Sequence, residues 1–199
     1  MNERRSVEGQ DELQTPRLRL RRWLPSDRDA FAAINADPKV MRYLPGPLSR
    51  EQSDAMVDRI EAHFEQHGFG LWNVEVRGVT HCAGFIGLTV PRFEAPFTPC
   101  VEIGWRLASD QWGKGYATEG ALAALRYGFE KLQLDEIISM TVPKNVASRR
   151  VMEKIGLKYD PNGDFDHPMF PDDPHLCRHV LYRGSAEELL NQAEPRRDG

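Results

Sequence analysis

A glycine-rich turn between a predicted strand and a predicted helix is the feature that most constrains the fold of this chain. The turn, QWGKGYATE at residues 111–119, follows the apolar run 101–107 and precedes an apolar-periodic helix that begins near Ala117. Glycines let the backbone turn so that several N–H groups point at one place, and a helix N-terminus adds the positive end of its dipole. The pattern predicts a cradle for an anion with two or more phosphates. Taken alone, it also fits a strand-to-helix turn that merely requires glycine.

A second motif, NVASRRVMEKIGL at residues 145–157, comes directly after another predicted strand at 136–142. In this order the two segments resemble the acyl-CoA signature of the GNAT superfamily of N-acetyltransferases, and they are most similar to its RimJ/RimL-like branch. The resemblance extends over about residues 15–183. It implies an α/β fold, the GNAT fold, whose mixed and mostly antiparallel sheet is flanked by helices and splays apart at strands four and five.

The length of 199 residues suits a single domain with one core. We expect a flexible N-terminal segment at 1–14, one N-acetyltransferase domain at 15–184 and a polar C-terminal tail at 185–199. The boundaries follow the resemblance and the polar composition of both ends.

Composition argues against several classes of partner. A formal net charge of −4 and a pI near 5.9 give no basic field for binding nucleic acid. The N-terminus has no apolar core of a signal peptide, and no segment is long enough to span a membrane, so we expect a soluble, cytoplasmic protein. Three cysteines without paired or metal-type spacing fit a reducing compartment. The choice between monomer and homodimer stays open.

Periodicity and turn residues predict the other elements. Leu18 and Leu20 begin a first strand, and capping boxes are expected at Ser26 with Asp29 and at Ser49 with Gln52. The second box starts a helix that continues to Gly68. A hairpin at 71–76 and 82–90, a proline-rich loop at 91–99 and closing strands at 157–160 and 178–183 complete the prediction.

The resemblance implies that the backbone of the glycine turn wraps the pyrophosphate of coenzyme A. The cofactor-binding positions carried over are Leu107, Gly113, Lys114, Gly115, Tyr116, Ala117, Thr118, Asn145 and Ser148. Trp112 stands where the family has Gln or Arg, which places a side-chain contact from that position in doubt. Lys114 is equally well explained as a solvated lysine, and Asn145 and Ser148 as residues that cap a helix.

Acetyl transfer to an amine needs a proton acceptor, because amines are largely protonated at neutral pH. Glu102 is the candidate base, since its strand passes beside the thioester in the family; a surface glutamate on that strand is the alternative. A backbone N–H near Arg106 or Leu107 is expected to stabilise the oxyanion. Many enzymes of the family have a tyrosine acid where this chain has Met152, so Ser148 or water is expected to protonate the thiolate, unless it leaves unprotonated.

The resulting prediction is an acetyl-CoA-dependent N-acetyltransferase, without a metal, that acts on a primary amine by direct attack in a ternary complex. The acceptor is a protein N-terminus or a small-molecule amine. The acidic segment 160–177 would suit a cationic acceptor, although it also reads as a solvated loop, and its His167, His175 and His179 have only a weak resemblance to metal ligands. A non-catalytic acyl-CoA-binding or sensing module and a nucleotide-binding protein remain as alternatives.

Overall fold

A computed structural model describes residues 12–191. Within this range, eight strands form one sheet in the order β1-β2-β3-β4-β5-β6-β8-β7. The strands are β1 Leu13–Gln14, β2 Leu18–Arg21, β3 Leu71–Val76, β4 Gly84–Thr89, β5 Glu102–Leu107, β6 Glu136–Thr141, β7 Lys158–Asp166 and β8 Arg178–Ser185. The α-helices are α1 Arg28–Ala36, α2 Arg50–His67, α3 Tyr116–Glu130, α4 Val146–Lys154 and α5 Ala186–Asn191.

The predicted α/β architecture with a mixed, mostly antiparallel sheet is confirmed. Every neighbouring pair of strands is antiparallel except β5 and β6, which are parallel. These two strands pair in register at one position, Glu102 with Ile138, and carry no further paired residues toward their C-terminal ends. The predicted strands four and five are β5 and β6, because the short β1 precedes the first predicted strand.

Helix α3 covers one face of the sheet at close range. Ala121 and Ala124 are fully buried, and a Cβ at Gly120 would lie 2.5 Å from Cδ1 of Ile86 on β4. Small residues on this side of α3 therefore let its backbone approach the sheet. Helices α1 and α2 lie against the opposite face, where Phe31 of α1 packs edge-on against Phe85 of β4.

The start of α1 differs from the prediction. Asp27, not Ser26, organises this turn: its Oδ2 accepts the N–H of Leu24 at 2.8 Å, and its carboxylate accepts two bonds from the Arg21 guanidinium at 2.7 and 2.9 Å. The Ser26 and Asp29 capping box is wrong, because a buried ion pair fixes the turn instead. That pair joins β2 to α1 across six residues, which local spacing does not reveal.

The capping box at the start of α2 is confirmed. Ser49 Oγ accepts the N–H of Gln52 at 3.2 Å, and Gln52 Oε1 accepts the N–H of Ser49 at 2.8 Å. The helix ends at Gly68, which has a φ of 75° and returns its N–H to the carbonyl of Phe64.

Strand β7 is longer than predicted and takes up part of the segment expected to be a loop. Its pairing with β8 shifts register between Asp160 and Phe165, and the N–H of Asn162 turns back onto Oδ1 of Asp160. The Pro-Asn-Gly sequence at 161–163 therefore forms a β-bulge within the hairpin and does not end the strand.

Residues 1–11 of the expected N-terminal segment and 192–199 of the expected tail lie outside the described range, so the domain boundaries stay predictions. None of the helices in residues 12–191 combines the length and apolarity needed to cross a membrane.

Candidate active site

The glycine turn leads into α3 with its first N–H groups unused by the helix. Gly113 and Gly115 have φ values of 73° and 85°, a left-handed conformation that favours glycine. Gly115 is the N-cap of α3 and supplies no side-chain cap, and the first backbone bond of the helix runs from Glu119 N–H to Gly115 O. The N–H groups of Tyr116 and the two residues after it thus have no helical acceptor. This is the local geometry of an anion site.

Arg17 braces the turn and was missed in the sequence analysis. Its guanidinium donates to the carbonyl of Lys114 at 2.9 Å, forms an ion pair with Glu119 at 2.6 Å and lies 4.8 Å from the ring centre of Tyr116. The ammonium of Lys114 donates to Gln111 Oε1 at 3.1 Å and is otherwise exposed. Arg17 adds a second positive charge beside the turn, and no local pattern links residues this far apart in the chain.

Trp112 has a role within the chain that explains its place in the motif. Its indole Nε1 donates to the carbonyl of Leu107 at 2.9 Å, while the side chain stays half-exposed. The indole therefore ties the glycine turn to the last residue of β5.

Asn145 caps α4, as the helix-capping alternative predicted. Its Oδ1 accepts the N–H of Ser148 at 3.3 Å, and its Nδ2 donates to Thr141 Oγ1 at 3.0 Å and to Ser148 Oγ at 3.1 Å. Ser148 Oγ is therefore an acceptor in this network, which leaves the hydroxyl hydrogen free to be donated elsewhere. One turn further along α4, Met152 is 1% exposed and belongs to the core.

The separation of β5 from β6 begins at Glu102. The N–H of Ile138 donates to Val101 O at 3.0 Å, and Ser139 Oγ donates to Ile103 O at 2.9 Å. Beyond these bonds the strands diverge toward the glycine turn and the start of α4. We call the pairing of Glu102 with Ile138 the apex of the splay.

Strand alternation determines which backbone donors face the splay. The N–H of Ala108 donates to Ala83 O at 2.9 Å, so even-numbered N–H groups of β5 point toward β4. Arg106 N–H therefore belongs to the β4 ladder, whereas the N–H groups of Trp105 and Leu107 point into the splay. Of the two expected oxyanion donors, Leu107 is the one oriented toward this space.

Glu102 is half-buried at the apex, and desolvation raises its pKa to about 7. Among residues 12–191, its carboxylate has no hydrogen-bond partner. Glu102, Gly104 and Arg106 share one face of β5, and a Cβ at Gly104 would meet open space. Thr89 of β4 lies directly opposite Glu102.

The contacts of Arg106 show that this face of β5 is the one covered by α1 and α2. In the sequence analysis only the backbone N–H of Arg106 was considered, and its side chain was given no role. Its Nη1 donates to Asn35 Oδ1 at 2.6 Å and contacts Met56 Sδ at 3.6 Å, and its guanidinium lies 5.4 Å from the ring centre of Phe85. Its Nε is buried without a partner, and desolvation lowers the pKa of Arg106 to about 10. A carboxylate partner, which a buried arginine usually has, is absent among the described residues.

The expected site residues lie in two groups, one at the open end of the splay and one at its apex. Leu107, Gly113, Lys114, Gly115, Tyr116, Ala117, Thr118, Asn145 and Ser148 lie at the open end of the splay, around the starts of α3 and α4. Glu102 lies at the apex, about 16 Å from Leu107 at the usual rise of a strand. A ligand that extends from the open end of the splay toward the apex needs an anionic group at one end and a long, narrow chain.

The acidic segment is largely committed to contacts within the chain. Asp160 pairs with Arg183 at 2.8 Å, Asp166 pairs with Arg178 at 3.2 Å, and Asp173 caps the following turn. The charges of Asp160 and Asp166 are therefore neutralised locally. In the part of the chain that the structure describes, no group of three or more His, Cys, Asp or Glu residues is arranged to hold a metal ion.

Comparisons with known proteins agree with this geometry. A family model described as an acetyltransferase (GNAT) domain matches residues 17–158. The FsC-acetyl coenzyme A-N(2)-transacetylase of Aspergillus fumigatus is 32% identical over 164 residues, which cover 77% of this chain and 68% of that protein.

Two solved structures show the same fold. An acetyltransferase of the GNAT family from Bacillus anthracis has a TM-score of 0.74 at 29% identity, covering 89% of this chain and 99% of its own. Mycobacterium smegmatis RimJ, solved in complex with CoA-disulfide, has a TM-score of 0.69 at 23% identity, covering 89% and 87%. The chain therefore belongs to the GNAT family of N-acetyltransferases.

Proposed function

We propose that this enzyme transfers the acetyl group of acetyl-CoA to a primary amine by direct attack within a ternary complex, with Glu102 as the base. The observation that carries the proposal is the half-buried carboxylate of Glu102 at the apex of the splay, without a partner among the described residues and with a pKa near 7. A carboxylate with this pKa is ionised about half the time at neutral pH, and it is basic enough to accept a proton from an incoming ammonium.

Acetyl-CoA would occupy the splay with its pyrophosphate at the start of α3. Support comes from the unused N–H groups of α3, the exposed ammonium of Lys114, and the open end of the splay between β5 and β6, while Arg17, paired with Glu119, holds the turn in place. The RimJ neighbour, which has the same fold, was solved in complex with CoA-disulfide, and this supports CoA as the ligand. The pantetheine arm would run from the start of α3 into the splay, so that the thioester lies beside the N–H groups of Trp105 and Leu107, with the acceptor amine between the thioester and Glu102.

The chemical step needs two proton transfers. Glu102 removes a proton from the ammonium through bridging water, and the neutral amine attacks the thioester carbonyl carbon. A backbone N–H that points into the splay, such as that of Leu107, stabilises the oxyanion of the tetrahedral intermediate. The C–S bond then breaks as the nitrogen loses its second proton, which passes through the Ser148 hydroxyl or water to the departing thiolate.

Ser148 is the candidate donor to the leaving thiolate. Its oxygen already accepts from Asn145 Nδ2, so its hydrogen is free to point at the sulfur. The thiolate has a modest basicity, with a pKa of about 8.5 for a free thiol of this kind, so water at the same place would also suffice. Met152 is buried in the core and plays no part in this step.

A panel of primary amines incubated with acetyl-CoA tests the proposal. The expected result is release of free CoA thiol together with acceptors that gain one acetyl group by mass spectrometry. Thermal stabilisation by acetyl-CoA without turnover of any amine would instead identify a non-catalytic acyl-CoA-binding module. Stabilisation by ATP but not by acetyl-CoA would identify a nucleotide-binding protein.

A further inference from the structure

A pocket of about 270 Å³ adjoins the apex of the splay on the face covered by α1 and α2. It is lined by Met56, Ile60 and His63 of α2, by Thr89 of β4, and by two arginines, Arg59 and Arg92. We call it the α2 pocket. Its volume is slightly below that of typical ligand pockets, which begin at about 300 Å³, so it suits a small acceptor or one end of a larger one.

The α2 pocket is within reach of the proposed base. Thr89 lines it and is the register partner of Glu102 on the same face of the sheet, and residues paired in this way have Cβ atoms about 5 Å apart. Met56 lines the pocket and also contacts Arg106, which lies two residues beyond Gly104 on that face. The pocket and Glu102 therefore lie on the same face of the sheet, one strand apart at Thr89.

The two arginines at the pocket are exposed and have no partner in the described part of the chain. Arg59 and Arg92 make no hydrogen bond or ion pair there. The carboxylates of α2 that could have neutralised Arg59 are committed to other arginines. These ion pairs are Asp54 with Arg50, Asp58 with Arg28, and Glu61 and Glu65 with Arg22.

His63 holds one wall of the pocket in place through two hydrogen bonds that require a neutral imidazole ring. Its Nδ1 lies 2.8 Å from Phe69 O, and its Nε2 accepts the N–H of Val90 at 3.0 Å. One ring nitrogen therefore donates and the other accepts, which ties α2 to the end of β4, two residues before Arg92. The positive charge of the pocket comes from the arginines alone.

From this arrangement we propose that the α2 pocket binds an anionic group of the acceptor, so that the substrate is a small amine that also carries a carboxylate or a phosphate. This inference rests on the proposed function. The amine would lie at Glu102 and the anion between Arg59 and Arg92, while the long-range field of the buried Arg106 favours the same orientation.

Matched acceptors test the proposal. The test compares aminoalkyl carboxylates of increasing length, aminoalkyl phosphates and the corresponding carboxamides as acceptors for acetyl-CoA, with kcat/KM measured by thiol release. A charge-assisted hydrogen bond contributes about 1.5–3 kcal/mol, so the anionic form should be preferred over the amide by about tenfold to a hundredfold. The stronger of the carboxylate and phosphate series identifies the anion.

Arg59→Gln and Arg92→Gln should each reduce that preference by about tenfold, mainly by raising KM, and the double variant should nearly abolish it. Both side chains are exposed and make no hydrogen bond or ion pair in the described part of the chain, so neither substitution should affect folding. Arg126→Gln is the matched control, because Arg126 is an exposed arginine on α3, which covers the opposite face of the sheet.

The outcomes separate this inference from the function on which it rests. Equal turnover of amides and anions, or a preference that survives in the double variant, leaves the acetyltransferase intact and overturns the anion pocket. Failure of the wild type to acetylate any amine, charged or neutral, overturns both.

Discussion

At the scale of single residues, Glu102 combines a proposed catalytic position with an energetic cost. Desolvation raises its pKa from 4.5 to about 7, so the folded protein holds a proton that the unfolded chain releases between these pH values. Its contribution to stability is therefore complete below about pH 4.5 and is lost as the pH rises through 7. A charge held at this cost is common at catalytic sites.

Glu102→Gln should accordingly stabilise the protein at pH 8. The shift in pKa corresponds to at most about 3 kcal/mol, so the melting temperature should rise at pH 8 and change little at pH 4.5. Glu94→Gln, at an exposed carboxylate on the neighbouring loop, is the matched control and should show no such pH dependence. A variant that is no more stable than the wild type at pH 8 would show that Glu102 is well solvated.

Individual residues of the candidate site differed in whether the sequence could predict them. Glu102 was identifiable because it lies on the strand that precedes the glycine turn. Arg17 and Arg106 were not, since their roles depend on contacts with Lys114 and Asn35, 97 and 71 residues away. Side chains that act across such separations leave no periodic or local signal.

At the scale of elements, the start of α3 is the feature that the sequence predicted best. The alternation of strand, glycine turn and helix is local, and Gly115 has the positive φ that its place in the motif requires. The β7 and β8 hairpin was predicted less well, because Pro161, Asn162 and Gly163 were read as part of a loop. Their turn chemistry forms a bulge, and only the pairing with β8 distinguishes the two outcomes.

Gly115→Asp should abolish acetyl-CoA binding, because its carboxylate would repel the pyrophosphate and because a Cβ there would lie 3.2 Å from the Arg17 guanidinium in a backbone conformation that disfavours non-glycine residues. At a hundredfold excess over its dissociation constant, acetyl-CoA should stabilise the wild type by about 2.7 kcal/mol and leave the variant unchanged in a thermal melt. Gly78→Asp is the matched control: Gly78 has a similar φ of 72° but lies in the turn after β3. Its melting temperature should fall through backbone strain while the response to acetyl-CoA persists. Equal responses in all three proteins would rule out this anion site.

At the scale of the whole molecule, the pH dependence of stability reflects ionisable groups whose pKa shifts have opposite effects. Burial lowers the pKa of His63 and His179, and lowers that of His167 to about 4. Between about pH 4 and 6.5 the unfolded chain therefore binds more protons at these histidines, so their contribution makes stability rise with pH. The raised pKa of Glu102 makes stability fall with rising pH over much of this range.

His167→Gln should flatten the loss of stability on acidification from pH 6.5 to 4, because it removes a histidine whose pKa burial lowers to about 4. Glutamine preserves an acceptor for the N–H of Met169, which His167 Nδ1 accepts at 3.2 Å. Urea unfolding at several pH values measures the slope. An unchanged slope would mean that His167 titrates in the folded protein as it does in solution.

The overall architecture was predictable from the sequence because two ordered motifs and strand periodicity fix the order of elements. The charge of the region proposed to bind the acceptor was not predictable in the same way. The sequence left the acidic segment open between a site for a cationic acceptor and a solvated loop. In the structure Asp160 and Asp166 pair with Arg183 and Arg178, while Arg59 and Arg92 have no such partners in the described range. Charge balance in a cleft depends on which ion pairs form in three dimensions, and composition does not determine that.

The pH dependence of kcat/KM for wild type and Glu102→Gln, with the best amine and saturating acetyl-CoA, tests the central claim most directly. The wild-type rate should rise through an apparent pKa of about 7. The variant should bind acetyl-CoA normally, lose roughly 10²- to 10⁴-fold in kcat/KM at neutral pH, and rise only through the pKa of the amine itself. A variant with the rate and pH profile of the wild type would contradict the assignment of Glu102 as the base.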